Sequence, residues 1–285
     1  MKKDTRVLQL GDVSIFVVSD GTFWLDGGTM FGIVPKVLWS RLAPPDEENR
    51  IELGLNCLLV RSPGSATLID AGIGRDYSPK IKKIYRLDDR TNLMIELHRL
   101  GVKPEDVTRV VLTHVHFDHC GWCTRNVGGR WVPTFPKARH VVQTIEWADA
   151  FHPNELTRGG YMSERVAPLK EHGLLDLVNG ETDLGDGIVV IPTPAHARGH
   201  QSVKISAGGQ TVFCPGDIIP TRHHVRLPYI MAYDRDPEGI VQLKSSILRD
   251  AIAQKWIIFF THDAQVPLAR VEANGKGNAV ATALE

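Results

Sequence analysis

The chain has little cysteine, no excess of either charge and no long hydrophobic run. Four cysteines in 285 residues, Cys57, Cys120, Cys123 and Cys214, are too few for a disulfide scaffold in a protein of this size. Lys plus Arg equals Asp plus Glu at 33 each, so the overall field does not draw in a polyanion, which argues against a nucleic-acid partner. No apolar stretch approaches the roughly 18 to 20 residues that cross a bilayer, which argues against a membrane partner. Met1-Lys2-Lys3 opens like the basic end of an export signal, yet Asp4, Thr5 and Arg6 stand where an apolar run would be required, so the expected location is cytoplasmic. What is present, 42% hydrophobic and 23% charged residues, is the balance of a folded globular protein and not of a disordered one.

Short apolar or alternating runs closed by Gly, Pro or Asp predict strands over 13–18, 56–60, 66–69 and 110–112, and again over 139–142, 188–191, 202–205, 212–213 and 256–260. Helical spacing predicts helices over 91–100, 145–150, 164–172 and 237–253. Two groups of strands interleaved with helices predict an α/β layered domain; no linker or repeat divides it, so 1–285 reads as a single domain. Segment 23–50 stands apart, with Trp24, Met30, Phe31, Val34, Val37, Leu38 and Trp39 set among Gly and Pro. It reads as a lid, as an arm reaching a second copy of the chain in a homodimer, or as an irregular buried strand. The stretch 264–285 reads as a C-terminal tail.

The chemistry lies in Leu112-Thr113-His114-Val115-His116-Phe117-Asp118-His119. An apolar strand runs straight into four metal-type ligands within six residues. More follow other strand-like runs: His196 in Thr193-Pro194-Ala195-His196, Asp217 in Cys214-Pro215-Gly216-Asp217, and His262 after Phe259-Phe260-Thr261. Strand ends from separate parts of a layered sheet meet at one edge, where sites assemble in α/β folds. Seven ligands exceed the needs of one tetrahedral ion and suit two ions sharing a carboxylate. Mixed imidazole and carboxylate suits Zn, Fe, Co or Mn.

His-x-His-x-Asp-His, Thr-Pro-x-His, Gly-Asp after a strand and the late strand-end histidine, in this order and preceded by Leu68-Ile69-Asp70-Ala71-Gly72-Ile73-Gly74, resemble the metallo-β-lactamase superfamily over about residues 55 to 263. The resemblance implies an αβ/βα four-layer sandwich with a metal site at one edge of its two sheets. It implies two divalent transition-metal ions, zinc foremost with Fe, Mn or Co as alternatives. His114, His116 and His196 would hold one, Asp118, His119 and His262 the other, and Asp217 would bridge them, with Asp118 and Asp217 as the catalytic carboxylates. Asp70 would stand behind the ligand loop and hold it. The implied reaction is hydrolysis of an ester-like bond in a small molecule by hydroxide held between the metals.

Within the superfamily, Asp217 paired with His262, and Tyr233-Asp234-Arg235-Asp236-Pro237 ahead of the last strand, resemble the lactonase group with its aryl-ester and organophosphate hydrolase relatives. Phosphotriester, phosphodiester or thioester hydrolysis on the same site is the alternative, and a non-hydrolytic redox or binding member is a different class. The 285 minus 262, or 23, residues after His262 are expected to exclude the added C-terminal domain of glyoxalase II-like thioesterases. One position departs from the lactonase pattern: Pro220 stands where those enzymes carry a tyrosine, leaving His223, His224 or Tyr229 to take its place. His200, four residues past a ligand, is expected behind the site and not in it. Cys120-Gly121-Trp122-Cys123 lacks a second pair and reads as packed thiols. Selectivity must come from flanking loops, and Trp24, Phe31, Trp39, His223 and Tyr229 are the expected substrate contacts.

Overall fold

A computed structural model of the chain describes residues 7–87, 90–275 and 277–284. The first sheet begins with β1 (Val7–Leu10), β2 (Val13–Asp26), β3 (Arg50–Ser62) and β4 (Ser65–Ile69), all antiparallel neighbours. Between β2 and β3 lie two short helices, α1 (Gly27–Phe31) and α2 (Lys36–Trp39). Next come α3 (Pro79–Ile84) and α4 (Leu93–Arg99), capped by the side chains of Ser78 and Asn92. The chain then re-enters the sheet as β5 (Arg109–Val111), parallel to β4, and makes a small hairpin, β6 (Thr124–Val127) with β7 (Arg130–Pro133). Two more parallel strands, β8 (Arg139–Gln143) and β9 (Leu175–Val178), are joined by α5 (Thr144–Phe151) and α6 (Ser163–Glu171).

The second sheet runs β10 (Thr182–Asp183), β11 (Ile188–Pro192), β12 (Gln201–Ala207), β13 (Gln210–Cys214), then α7 (Pro237–Gln254) and β14 (Ile257–Phe259), which pairs parallel to β13. Helix α7 starts on Pro237 with Asp236 accepting from the Gly239 amide, and ends at Lys255 in a left-handed conformation. The segment 264–285 is not a loose tail: β15 (Leu268–Ala273) and β16 (Ala279–Ala283) extend the second sheet by two antiparallel strands. The residues of β16, Ala-Val-Ala-Thr-Ala, lack the apolar bulk that marks a strand.

Period-two alternation sets the layers. In β3, Cys57 and Leu59 face the core under α4, α5 and α6, whereas Leu58 and Val60 face the core between the sheets. In β14, Ile257 and Phe259 point inward to that same interior and Ile258 outward to α7, where Phe213, Ile247 and Ala251 meet it. The result is helices, sheet, sheet, helix: the αβ/βα sandwich. The two sheets are laced at one edge. The Asn56 side chain donates to the carbonyls of Phe260 (3.1 Å) and Asp263 (2.8 Å), and the Gln201 backbone and side chain donate to Thr113 (2.8 Å) and Leu112 (2.7 Å). That edge carries the site.

The strand β8 places His140 in the interior, far from this edge in sequence and with its Nε2 unpartnered. Burial lowers its pKa from 6.5 to about 4. The unfolded chain therefore takes up a proton near pH 6.5 that the folded chain refuses until about pH 4. Stability from this residue is complete above pH 6.5 and falls through that window, by about 3 kcal/mol at pH 4. His140→Leu is expected to flatten the fall. Urea midpoints measured between pH 7 and pH 4 check this through their slope, independent of the variant's stability at pH 7.

Candidate metal centre

The ligand loop is held by the turn after β4. Asp70, at φ 58°, accepts from the Thr113 amide (2.8 Å) and receives the Thr113 hydroxyl. The turn's backbone is laced to the ligand loop by Ala71 N–H to the His119 carbonyl, Gly121 N–H to Gly72 and Trp122 N–H to Ala71, at 2.7 to 2.9 Å. Behind it sits Asp20, a fully buried carboxylate that accepts from the amides of Ile73, Gly74 and Leu93 and from the Trp122 indole. The sequence offers no sign of Asp20, because its partners lie between 53 and 102 residues away.

All seven expected ligands meet. His114, His116 and His196 present ligand atoms within 4.8 Å of one another; so do Asp118, His119 and His262, and so do His114, His119 and Asp217. Four imidazoles are tethered from behind at Nδ1. His114 is held by the Thr113 hydroxyl (3.0 Å), His119 by Asp70 (2.9 Å), His196 by Asp234 (2.9 Å) and His262 by the Gly54 carbonyl (2.9 Å). An Nδ1 proton spent on such a partner leaves the Nε2 lone pair facing inward. The inward nitrogens crowd: His114 Nε2 to His116 Nδ1 is 2.9 Å, His196 Nε2 to His116 Nδ1 is 3.2 Å, and His262 Nε2 to His119 Nε2 is 3.2 Å. Facing lone pairs repel unless a cation lies among them, so the donor set fits metal ions. Asp217 joins the two halves, with Oδ1 3.2 Å from His262 and 3.4 Å from His119, and Oδ2 3.4 Å from His196. Its Oδ1 is buried and makes no hydrogen bond.

The charges within the cluster are tightly coupled. Burial would raise the Asp217 carboxyl, but the imidazoles of His119, His262 and His196 hold it well below the usual carboxylate range. Burial pushes His114 down, and the neighbouring rings of His119 and His116 add to that, so it stays neutral and able to ligate. For His119 burial is outweighed by Asp217, Asp118 and Asp70. His200 does not ligate. Burial lowers it to about 3, and the neutral ring donates from Nδ1 to Thr193 (2.8 Å) and accepts the Asp217 amide at Nε2 (3.2 Å), which positions the Asp217 backbone. Glu146 plays a similar part from the other side, accepting the Val115 amide (3.0 Å) between two ligands. The four thiols are buried and burial pushes each of them up, so Cys120 and Cys123 are packing groups and not nucleophiles.

The cluster opens onto a cavity of about 280 Å³ walled by Phe23, Leu25, Met30, Phe117, Tyr161 and Met231, with Arg235 among its polar members. Segment 23–50 does reach the site, through other residues than expected. A bulge between Ser19 and Thr22 resets the alternation, and β2 continues to Asp26, so Phe23 and Leu25 face the cavity while Trp24 turns away under the Arg86 guanidinium (4.1 Å). Phe31 and Trp39 are 1% exposed, stacked on each other at 5.5 Å inside a core cluster. Trp24, Phe31, Trp39, His223 and Tyr229 therefore do not line the metal cavity. His223 borders a neighbouring pocket, and Tyr229 accepts from Arg226. His224 is likewise spent, between Thr221 and the Met30 carbonyl.

Comparison with known proteins gives a consistent result. The family model described as Metallo-beta-lactamase superfamily matches residues 50–262. An N-acyl homoserine lactonase of Rhizobium radiobacter is 33% identical over 170 residues, covering 54% of this chain and 60% of that protein; the match thus spans less than two thirds of that relative. A probable metallo-hydrolase of Mycobacterium tuberculosis is 28% identical over 82% of this chain and 81% of its own. A solved probable metal-dependent hydrolase of Staphylococcus aureus superposes with a TM-score of 0.89 at 29% identity, covering 98% of this chain and 99% of that one.

Proposed function

This chain belongs to the metallo-β-lactamase superfamily, and on that premise we propose that it is a hydrolase working with two divalent transition metals, zinc foremost, on a lactone or other ester-like bond of a small molecule. One observation carries the reading: two ligand trios, His114/His116/His196 and Asp118/His119/His262, are joined by the two oxygens of Asp217 at the floor of an apolar cavity. Bound ions supply a nucleophile derived from water at neutral pH and a Lewis acid for the substrate's oxygen.

The chain's own residues do the rest. Asp70, Thr113, Asp234 and the Gly54 carbonyl orient the imidazoles. His200 sets the Asp217 backbone. Phe23, Leu25, Met30, Phe117 and Met231 exclude bulk water and take the apolar part of the substrate. The lactonases among the curated relatives support a lactone over a phosphoester.

Elemental analysis of purified protein, followed by a panel of lactones, aryl esters, phosphotriesters and thioesters, tests this. About two ions per chain are expected, with lactones turned over fastest, activity lost on chelation and regained with metal. One ion per chain, or turnover indifferent to the chelator, overturns the reading.

A further inference from the structure

Cleaving an ester-like bond puts negative charge on the substrate's carbonyl oxygen, and a fixed hydrogen-bond donor aimed at that charge is worth a large share of the rate. Three phenols line the cavity: Tyr85, Tyr161 and Tyr233. Two have spent their protons. Tyr161 donates to Glu146 Oε1 at 3.1 Å. Tyr233 lies 2.9 Å from the Thr29 hydroxyl, which itself donates to the Asp26 carbonyl at 2.8 Å, so Tyr233 must be the donor of that pair. Thr157 is tied to Asn154, and Arg235 is paired with Asp149 at 3.3 Å. The Tyr85 hydroxyl has no partner among the described residues, although its ring and backbone are firmly held.

That holding is specific. Tyr85 closes the end of α3, its amide bonded to the Ile81 carbonyl (3.0 Å), while its own carbonyl accepts the Trp24 amide of β2 (2.9 Å). The ring packs 5.4 Å from Phe117, the residue between ligands His116 and Asp118, and 6.5 Å from Phe23. These contacts fix the ring in the cavity wall beside the His116-Phe117-Asp118 loop, so that a phenol with no hydrogen-bond partner among the described residues is preorganised there.

We infer that the Tyr85 phenol donates a hydrogen bond to the reacting oxygen of the substrate as charge develops on it. The assignment rests on the hydrolase reading for its chemistry, and on the cavity geometry for the residue. Tyr85→Phe keeps the ring and its packing and removes only the hydroxyl. Metal content, kcat and KM on the best lactone or ester, and calorimetric affinity for hexylphosphonate, a tetrahedral anion, are measured for holo-parent, Tyr85→Phe and Tyr233→Phe.

In Tyr85→Phe, kcat is expected to fall about tenfold to a hundredfold with KM within about twofold, metal content unchanged and phosphonate bound about tenfold more weakly. Tyr233→Phe is expected to lose less on both readouts. A Tyr85→Phe protein with parental kcat and parental phosphonate affinity overturns the assignment while the hydrolase reading stands. A parent that turns over nothing in the panel overturns the hydrolase reading and the catalytic assignment with it, whether or not the Tyr85 hydroxyl contributes to phosphonate binding.

Discussion

Asp217→Ala is expected to hold less than one metal ion per chain under conditions where the parent holds two, and to lose at least about a thousandfold in kcat/KM, or about 4 kcal/mol of transition-state stabilisation. The reason is its position. Oδ1 stands 3.2 Å from His262 and 3.4 Å from His119 in one trio, Oδ2 stands 3.4 Å from His196 in the other, and the carboxyl is held ionised by those same imidazoles. Loss of any single histidine removes one ligand from one trio; loss of Asp217 removes a charged ligand from both. Elemental analysis with steady-state kinetics checks the outcome, and circular dichroism confirms that the variant is folded. Two ions and parental turnover in a folded Asp217→Ala would exclude the bridging role.

Gly121→Ala should be nearly as damaging without touching a ligand. A Cβ at 121 would lie 2.0 Å from both the carbonyl carbon and oxygen of Ile73, and 2.5 Å from the Gly74 amide nitrogen. These are backbone atoms, pinned by the Gly121 to Gly72 bond at 2.7 Å and by Asp20 behind them. Nothing can yield without moving the turn that carries Asp70, and Asp70 holds His119. The expected cost is about 3 to 5 kcal/mol of stability and a share of the bound metal. Gly275→Ala, whose Cβ would meet open space, is the control. Thermal unfolding and metal content decide: a Gly121→Ala protein matching the control on both would mean that the two loops are not wedged together.

The candidate ligands were legible because four of the seven fall within six residues and the others each follow an apolar strand. Period-two runs placed the central strands, and helical spacing placed α4 and α7, whose starts the structure caps with the side chains of Asn92 and Asp236. The aromatic richness of segment 23–50 rightly drew attention to the site's edge. Which of its rings face the cavity was not legible, since the bulge between Ser19 and Thr22 reverses the facing of every later residue in β2. Phe23 and Leu25 thus took the positions expected of Trp24, and Phe31 went to the core beside Trp39. The strands β15 and β16 escaped notice for a different reason: alanines, a threonine and one valine at the sheet edge carry little pattern in β16, and Arg270 and Glu272 interrupt the apolar run in β15.

The sequence by itself determined the chemistry available, five imidazoles and two carboxylates at strand ends, and the alternation that builds two sheets. Only the tertiary structure decided what stands behind those ligands and what remains free beside them. Gly54 reaches His262 across 208 residues, Asp20 reaches Trp122 across 102, and Asp234 reaches His196 across 38. Among the described residues the Tyr85 hydroxyl has no partner, whereas Glu146 and Thr29 engage the other two phenols of the cavity. Such partners are brought together by burial of the apolar faces between sheets and helices, a force that depends on area and not on residue order. A local pattern records which faces are apolar; the polar groups that meet once those faces are packed are set by the packing.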